Sequence, residues 1–177
     1  YFGYKIEDVI EKVKKIIKID GRCEVLEFRT NYKIVLDYAH TENALKNILT
    51  YLNKIKKRRI ITITGAAGGR YHEKRSKIGE IVLSMSDLVI FTMDDPRYES
   101  VEEIIDEMVS TSSLKNYVRI IDREQAIIYA LKNAKKEDII LIAGKGKDMY
   151  MAIKDKYIPY SDYEVVEKYI NSVNKSK

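Results

Sequence analysis

Three runs of unbroken aliphatic residues leave this chain few folds to choose from: Arg59–Thr64 (RIITIT), Leu88–Thr92 (LVIFT) and Asp138–Ala143 (DIILIA). A strand without polar alternation must be covered on both faces, which is the habit of parallel sheets. Between these runs lie segments with apolar residues at helical spacing. They predict helices over Ser76–Met85, Val101–Val109 and Glu124–Lys132, with a further strand at Tyr117–Ile121. Strands alternating with amphipathic helices imply βαβ units. The expected fold class is therefore α/β: a Rossmann-like, doubly wound, mainly parallel sheet with an N-terminal helix and a β-hairpin.

The front of the chain supplies those last two elements. Tyr4–Ile19 carries Ile6, Val9, Ile10, Val13, Ile16 and Ile17 on one helical face. Glu24–Phe28 and Lys33–Asp37 read as two strands turning around Arg29-Thr30-Asn31. Thr41 is placed to cap a helix that runs to about Lys57, and a last helix is expected over Asp162–Val173.

A chain of 177 residues suits one domain, residues 1–177. Cys23 is the single cysteine, so an intrachain disulfide is excluded and a reducing, cytoplasmic setting is expected. No apolar run approaches the ~20 residues of a membrane span, and no membrane partner is expected. The chain opens Tyr1-Phe2-Gly3-Tyr4, without Met, and is expected to be a fragment of a larger protein. Basic residues number 32 against 27 acidic ones, and the surplus is spread thinly. The cluster Lys54–Lys56–Lys57–Arg58–Arg59 has no interleaved aromatics, so nucleic acid is not an expected partner.

In a doubly wound sheet, ligands bind beyond the carboxyl ends of the strands. Four segments follow strands here: Tyr38-Ala39-His40-Thr41, Gly65–Arg70, Met93-Asp94-Asp95-Pro96-Arg97 and Gly144-Lys145-Gly146-Lys147-Asp148. All four should line one rim. In the first, His40 and the start of a helix can meet a phosphate, or Thr41 can be a plain cap. In the second, glycine amides can wrap an anion, or the loop can be a tight turn; no Walker pattern follows. In the third, the acids suit an ammonium and Arg97 a carboxylate, or the loop can simply begin a helix. The fourth lacks the Ser or Thr of a phosphate loop, but its turn can still present amides to a carboxylate.

Taken in order, these segments resemble the C-terminal domain of the Mur ligases. The resemblance is carried by Gly21-Arg22-Cys23-Glu24, Asp37-Tyr38-Ala39-His40-Thr41-Glu42-Asn43-Ala44-Leu45, Gly65–Gly69 through Lys74-Arg75, Asp94-Asp95-Pro96-Arg97, Ala143–Tyr150 and Tyr160-Ser161-Asp162. It is nearest the MurE branch, which adds the third residue of the peptidoglycan stem peptide. The resemblance implies that Arg22, Asp37 and His40 reach a nucleotide, with Asp37 on the ribose and His40 near the phosphates. It also implies that Arg75, Asp95, Arg97, Gly144 and Asp148 bind the incoming amino acid.

In such an enzyme ATP phosphorylates the carboxylate of a UDP-MurNAc-peptide, and the amino acid's amine displaces phosphate. ATP and Mg2+ would be held mainly by a central domain, so this chain is expected to hold no metal ligand and no catalytic residue and to be inactive alone. Related ligases (a MurE-like paralogue, cyanophycin or folylpolyglutamate synthetase) and a stand-alone amino-acid- or nucleotide-binding domain are the alternatives. Where the family has D-N-P-R this chain has Asp95, an added negative charge, and His-Glu is replaced by Lys147-Asp148. The amino acid implied is meso-diaminopimelate, with lysine as the alternative.

Overall fold

The computed structural model describes residues 3, 5–13 and 19–175. Elements follow in the order α1 (Ile6–Val13), β1 (Glu24–Val25), β2 (Lys33–Asp37), α2 (Glu42–Ile55), β3 (Ile60–Thr64), α3 (His72–Met85) and β4 (Leu88–Phe91). They continue with α4 (Val101–Val109), β5 (Tyr117–Arg119), α5 (Arg123–Asn133), β6 (Ile139–Ala143), β7 (Tyr150–Ile153), β8 (Lys156–Pro159) and α6 (Asp162–Lys175). Six strands form one sheet in the order β1-β2-β6-β3-β4-β5, parallel except for β1, which pairs antiparallel with β2. The expected α/β, Rossmann-like sheet is what forms.

The reason lies in the strand side chains. Ile34, Leu36, Ile61, Ile63, Ile140 and Ile142 face α5 and α6, where Ala126, Ile127, Ala130, Val166 and Ile170 meet them. Their sequence neighbours Val35, Ile60, Ile139 and Leu141 face the other way, onto Leu45, Leu49 and Leu52 of α2 and Val82 and Leu83 of α3, in the core that α4 completes. Both faces of β3 and β6 are thus dry, as uninterrupted aliphatic runs require. Thr41 caps α2, its hydroxyl oxygen accepting from the Ala44 amide at 3.4 Å.

Several expectations are corrected. The first hairpin strand stops at Val25, because after Leu26 the amides of Phe28 and Thr30 turn back on Leu26 and Phe28 carbonyls. Helix α3 begins at His72 rather than Ser76, without a side-chain cap. Lys14–Lys18, the second half of the first predicted helix, lie outside the described residues, and every side chain of α1 is exposed. The β7–β8 hairpin was not foreseen. Its two-residue Lys154-Asp155 turn places Lys154 at φ 53°, without the Asn-Gly or Asp-Gly pair that announces such turns.

The basic cluster before β3 is largely spent on acids. Lys56 meets Asp87 at 3.1 Å, Lys57 meets Glu137 at 3.3 Å, and Arg58 and Arg59 meet Asp138 at 3.4 and 2.7 Å. Among the described residues no helix is long and apolar enough to cross a membrane.

Asp138 is fully buried at the start of β6. Burial works to raise its carboxyl, but hydrogen bonds from Arg59 and the Lys135 amide, with the charges of Arg59 and Arg58, outweigh that and hold it below the usual carboxylate range. A depressed folded-state pKa contributes stability above the unfolded value, and that contribution is lost as pH falls through the folded one. Asp138→Asn should therefore cost about 1–2 kcal/mol at neutral pH. The difference from wild type should shrink below about pH 3.9. Urea titrations at pH 7 and pH 3 would check this, and an equal loss at both would refute it.

Candidate functional site

Parallel strands of matched register end together: Asp37 lies level with Ala143, and Thr64 with Phe91. The loops that leave them therefore share one rim, around a cleft lined by Tyr38, His40, Ala66, Arg75, Asp95 and Asp148, among others. All four predicted loops contribute to it.

The loops are bolted to one another. The Gly68 amide donates to the Asp95 carbonyl at 3.0 Å, and a β-carbon on Gly68 would lie 1.9 Å from the Pro96 carbonyl oxygen. The Gly69 amide donates to Glu99. These two amides are therefore spent inside the protein, as in a tight turn. Gly144, at φ 115°, abuts the Asp94 carboxylate, and its amide donates to the Asp37 carbonyl at 3.1 Å. It lines the floor of the cleft, with its own amide spent on that carbonyl.

The two arginines on the amino-acid side differ sharply. Arg75 is buried; it donates to Glu99 at 2.6 Å, to Glu107 at 2.9 Å and to the Ala67 carbonyl at 2.9 Å. The fork expected to meet a ligand carboxylate is thus taken up internally, and only Nε is left buried without a partner. The sequence could not reveal this, because Glu99 and Glu107 lie 24 and 32 residues further along the chain. Arg97 is half-buried at φ 52°, beside Gly69 at the rim rather than on the cleft wall. No hydrogen bond or ion pair holds its guanidinium among the described residues.

Asp95, at φ 48°, accepts on Oδ1 from the Ala152 amide at 2.8 Å and from Lys145 at 2.9 Å. Its extra negative charge is thereby balanced from behind. Burial pushes Asp148 up from the usual carboxylate range; Asp95 pushes the same way, while Lys145, His40 and Arg22 pull against it. Asp94 is also raised, foremost by burial, against the pull of Arg123 and Lys145. Buried Arg123 donates to both oxygens of Asp162 at 2.9 Å and to the carbonyls of Ala143 and Met93, the residues just before Gly144 and Asp94.

On the other side, Asp37 uses both carboxylate oxygens on backbone amides, those of Cys23 at 2.6 Å and Ala39 at 2.7 Å. It is first of all a turn bracket. The Arg22 guanidinium stacks 4.2 Å over the Tyr38 ring, which meets His40 edge-on at 4.9 Å. His40 Nδ1 lies 2.8 Å from the Tyr38 carbonyl. Arg22 and His40 are exposed and stand beside Asp148, so both groups of predicted residues adjoin one cleft. Sequence reasoning did not single out Tyr38, although it stands inside the quoted Asp37–Leu45 motif, nor Tyr71, which also lines the cleft. Among the described residues no group of His, Cys, Asp or Glu side chains is disposed to hold a metal ion.

Comparison with known proteins gives this architecture a family. Residues 21–146 match the family model described as Mur ligase, glutamate ligase domain. The UDP-N-acetylmuramoyl-L-alanyl-D-glutamate--2,6-diaminopimelate ligase of Buchnera aphidicola subsp. Baizongia pistaciae is 43% identical over 97% of this chain and 34% of its own length. A solved structure of a ligase of the same name superposes with a TM-score of 0.83 at 30% identity, covering 97% of this chain and 36% of that one. Escherichia coli FolC, at 18% identity and a TM-score of 0.61 over 98% of this chain and 37% of its own, shares the fold. The chain spans about a third of the length of these proteins. With the family model matched across most of its length, this chain belongs to the Mur ligase family, as its C-terminal domain.

Proposed function

We propose that residues 1–177 form the single C-terminal domain of a MurE-type ligase of peptidoglycan precursor synthesis. In this reading the domain presents an amino acid, meso-diaminopimelate in preference to lysine, to the activated carboxylate of a UDP-MurNAc-peptide. ATP supplies that activation as an acyl phosphate, and ATP and Mg2+ are held mainly by a central domain outside this chain. Arg22, Asp37 and His40 close over the nucleotide. Arg97, Asp95, Asp148, the Gly144 floor and the remaining Nε of Arg75 receive the amino acid. The domain orients the amine and excludes water, and alone it is inactive. Use of a UDP-linked precursor and ATP supports a cytoplasmic setting, and the pairing of the basic cluster with acids supports a reading without nucleic acid.

The observation that carries this is the uncommitted Arg97 guanidinium at the rim of a cleft whose near walls are Asp95 and Asp148. Diaminopimelate carries a carboxylate and an ammonium at its distal end, and this arrangement offers a partner to each; lysine would leave Arg97 unused. The relatives' name, 2,6-diaminopimelate ligase, points the same way.

In the ligase that carries this domain, Arg97→Ala should raise KM for diaminopimelate at least tenfold. The cost of losing one charged hydrogen-bond partner is about 1.5–3 kcal/mol. KM for ATP and for the UDP-MurNAc-peptide should hold, and so should the slower use of lysine. Equal losses with diaminopimelate and lysine would remove Arg97 from this role.

A further inference from the structure

The charge of the amino-acid side of the cleft turns on a side chain that does not line it. Lys145 follows Gly144 in the loop after β6 and is 1% exposed. A lysine is almost never so buried unless it is paired. Its ammonium lies 2.9 Å from Asp95, 3.9 Å from Asp94, 3.9 Å from Asp148 and 5.4 Å from the centre of the Tyr150 ring. The three carboxylates all line the cleft, whereas Lys145 stands behind them. One buried cation is thus shared by every acid on that side.

We infer that Lys145 is a positioning residue that sets the amino-acid specificity of the site, by holding Asp95 in place and offsetting one of the three charges a ligand meets. This deepens the ligase reading and rests on it. With Lys145 present, a distal group that carries both a carboxylate and an ammonium is tolerated. Without it, Asp94 keeps Arg123 beside it, but Asp95 and Asp148 lose their shared counterion, so they repel the carboxylate and favour an ammonium alone. Lys145 therefore tilts the site toward an amino acid with a second carboxyl group and away from a purely cationic side chain.

The sign of the effect can be reversed from either partner. Lys145→Met makes the site one charge more negative, and the ratio of kcat/KM for diaminopimelate over that for lysine should fall about tenfold. That is the scale of one unit charge acting over roughly 8 Å with partial screening. Asp95→Asn makes the site one charge more positive and should move the ratio the other way; it is nearly isosteric and keeps an acceptor for the Ala152 amide. The double variant restores the charge balance and should bring the ratio back toward wild type, with KM for ATP unchanged throughout.

The measurement is steady-state kinetics of the whole ligase with both amino acids. Where lysine turns over too slowly, its inhibition constant against diaminopimelate takes the place of its kcat/KM. A purely structural lysine predicts equal loss with both amino acids and no recovery in the double variant, and that result would overturn the inference. If Lys145→Met fails to fold, Asp95→Asn decides alone: a ratio that stays put or falls refutes the inference. A wild-type ligase that binds neither amino acid would defeat the ligase reading itself, and it would do so before any variant is made.

Discussion

Replacing Asp162 with alanine is expected to destabilise the domain by about 3–5 kcal/mol, the usual result of leaving one partner of a buried ion pair alone. Asp162 and Arg123 are both essentially without solvent contact, and the carboxylate takes two hydrogen bonds from the guanidinium at 2.9 Å. It also accepts the Tyr160 hydroxyl at 3.0 Å. In the variant, Arg123 keeps hydrogen bonds only to the carbonyls of Ala143 and Met93, and the nearby Asp94 is shared with Lys145. Chemical denaturation would read the loss directly, and a change below about 1 kcal/mol would contradict it. A double replacement of Arg123 and Asp162 by Met and Leu should recover much of the stability, because the desolvation cost of both charges vanishes with them. Recovery of stability should not restore the cleft, since Arg123 anchors the backbone just before Gly144 and Asp94.

Gly144→Ala should have the largest effect on ligation with a smaller effect on folding. The backbone there has φ 115°, where side chains are strained by about 1–3 kcal/mol. The new methyl group would also lie 2.2 Å from Oδ2 of Asp94. Asp94 lines the cleft, so displacing its carboxylate disturbs the space proposed for the amino acid. KM for diaminopimelate should rise about a hundredfold, or about 2.7 kcal/mol at 1.36 kcal/mol per decade. KM for ATP should change far less, and the thermal midpoint should fall by several degrees. An unchanged KM for diaminopimelate would separate Gly144 from the amino-acid pocket.

The fold was legible because its signals are local. The short, β-branched runs at Ile60–Thr64 and Ile139–Ala143 read as strands covered twice, and the stripe of Leu45, Ile48, Leu49 and Leu52 reads as one helical face. Parallel strands of similar length then bring their following loops to one rim, so the neighbourhood of His40, Arg70, Asp95 and Asp148 was also within reach of sequence. The β7–β8 hairpin was not, since its turn lacks the residues that betray one. It is anchored instead by distant partners: the Arg97 amide donates to the Ala152 carbonyl at 3.1 Å, and the Lys154 amide to the Arg97 carbonyl at 2.7 Å.

What the sequence by itself determined is the doubly wound sheet, the rim, and the residue types gathered there. Only the tertiary structure decided which of those charges are available. Arg75 and Arg97 read alike in the sequence, yet one is committed to Glu99 and Glu107 while the other stands uncommitted at the rim. Asp95 read as an added charge, yet it is balanced by Lys145, fifty residues further along the chain. Periodicity reports which face of an element is buried, whereas the pairing of charges depends on contacts between loops far apart in sequence. Those contacts exist only once the sheet has brought the loops together.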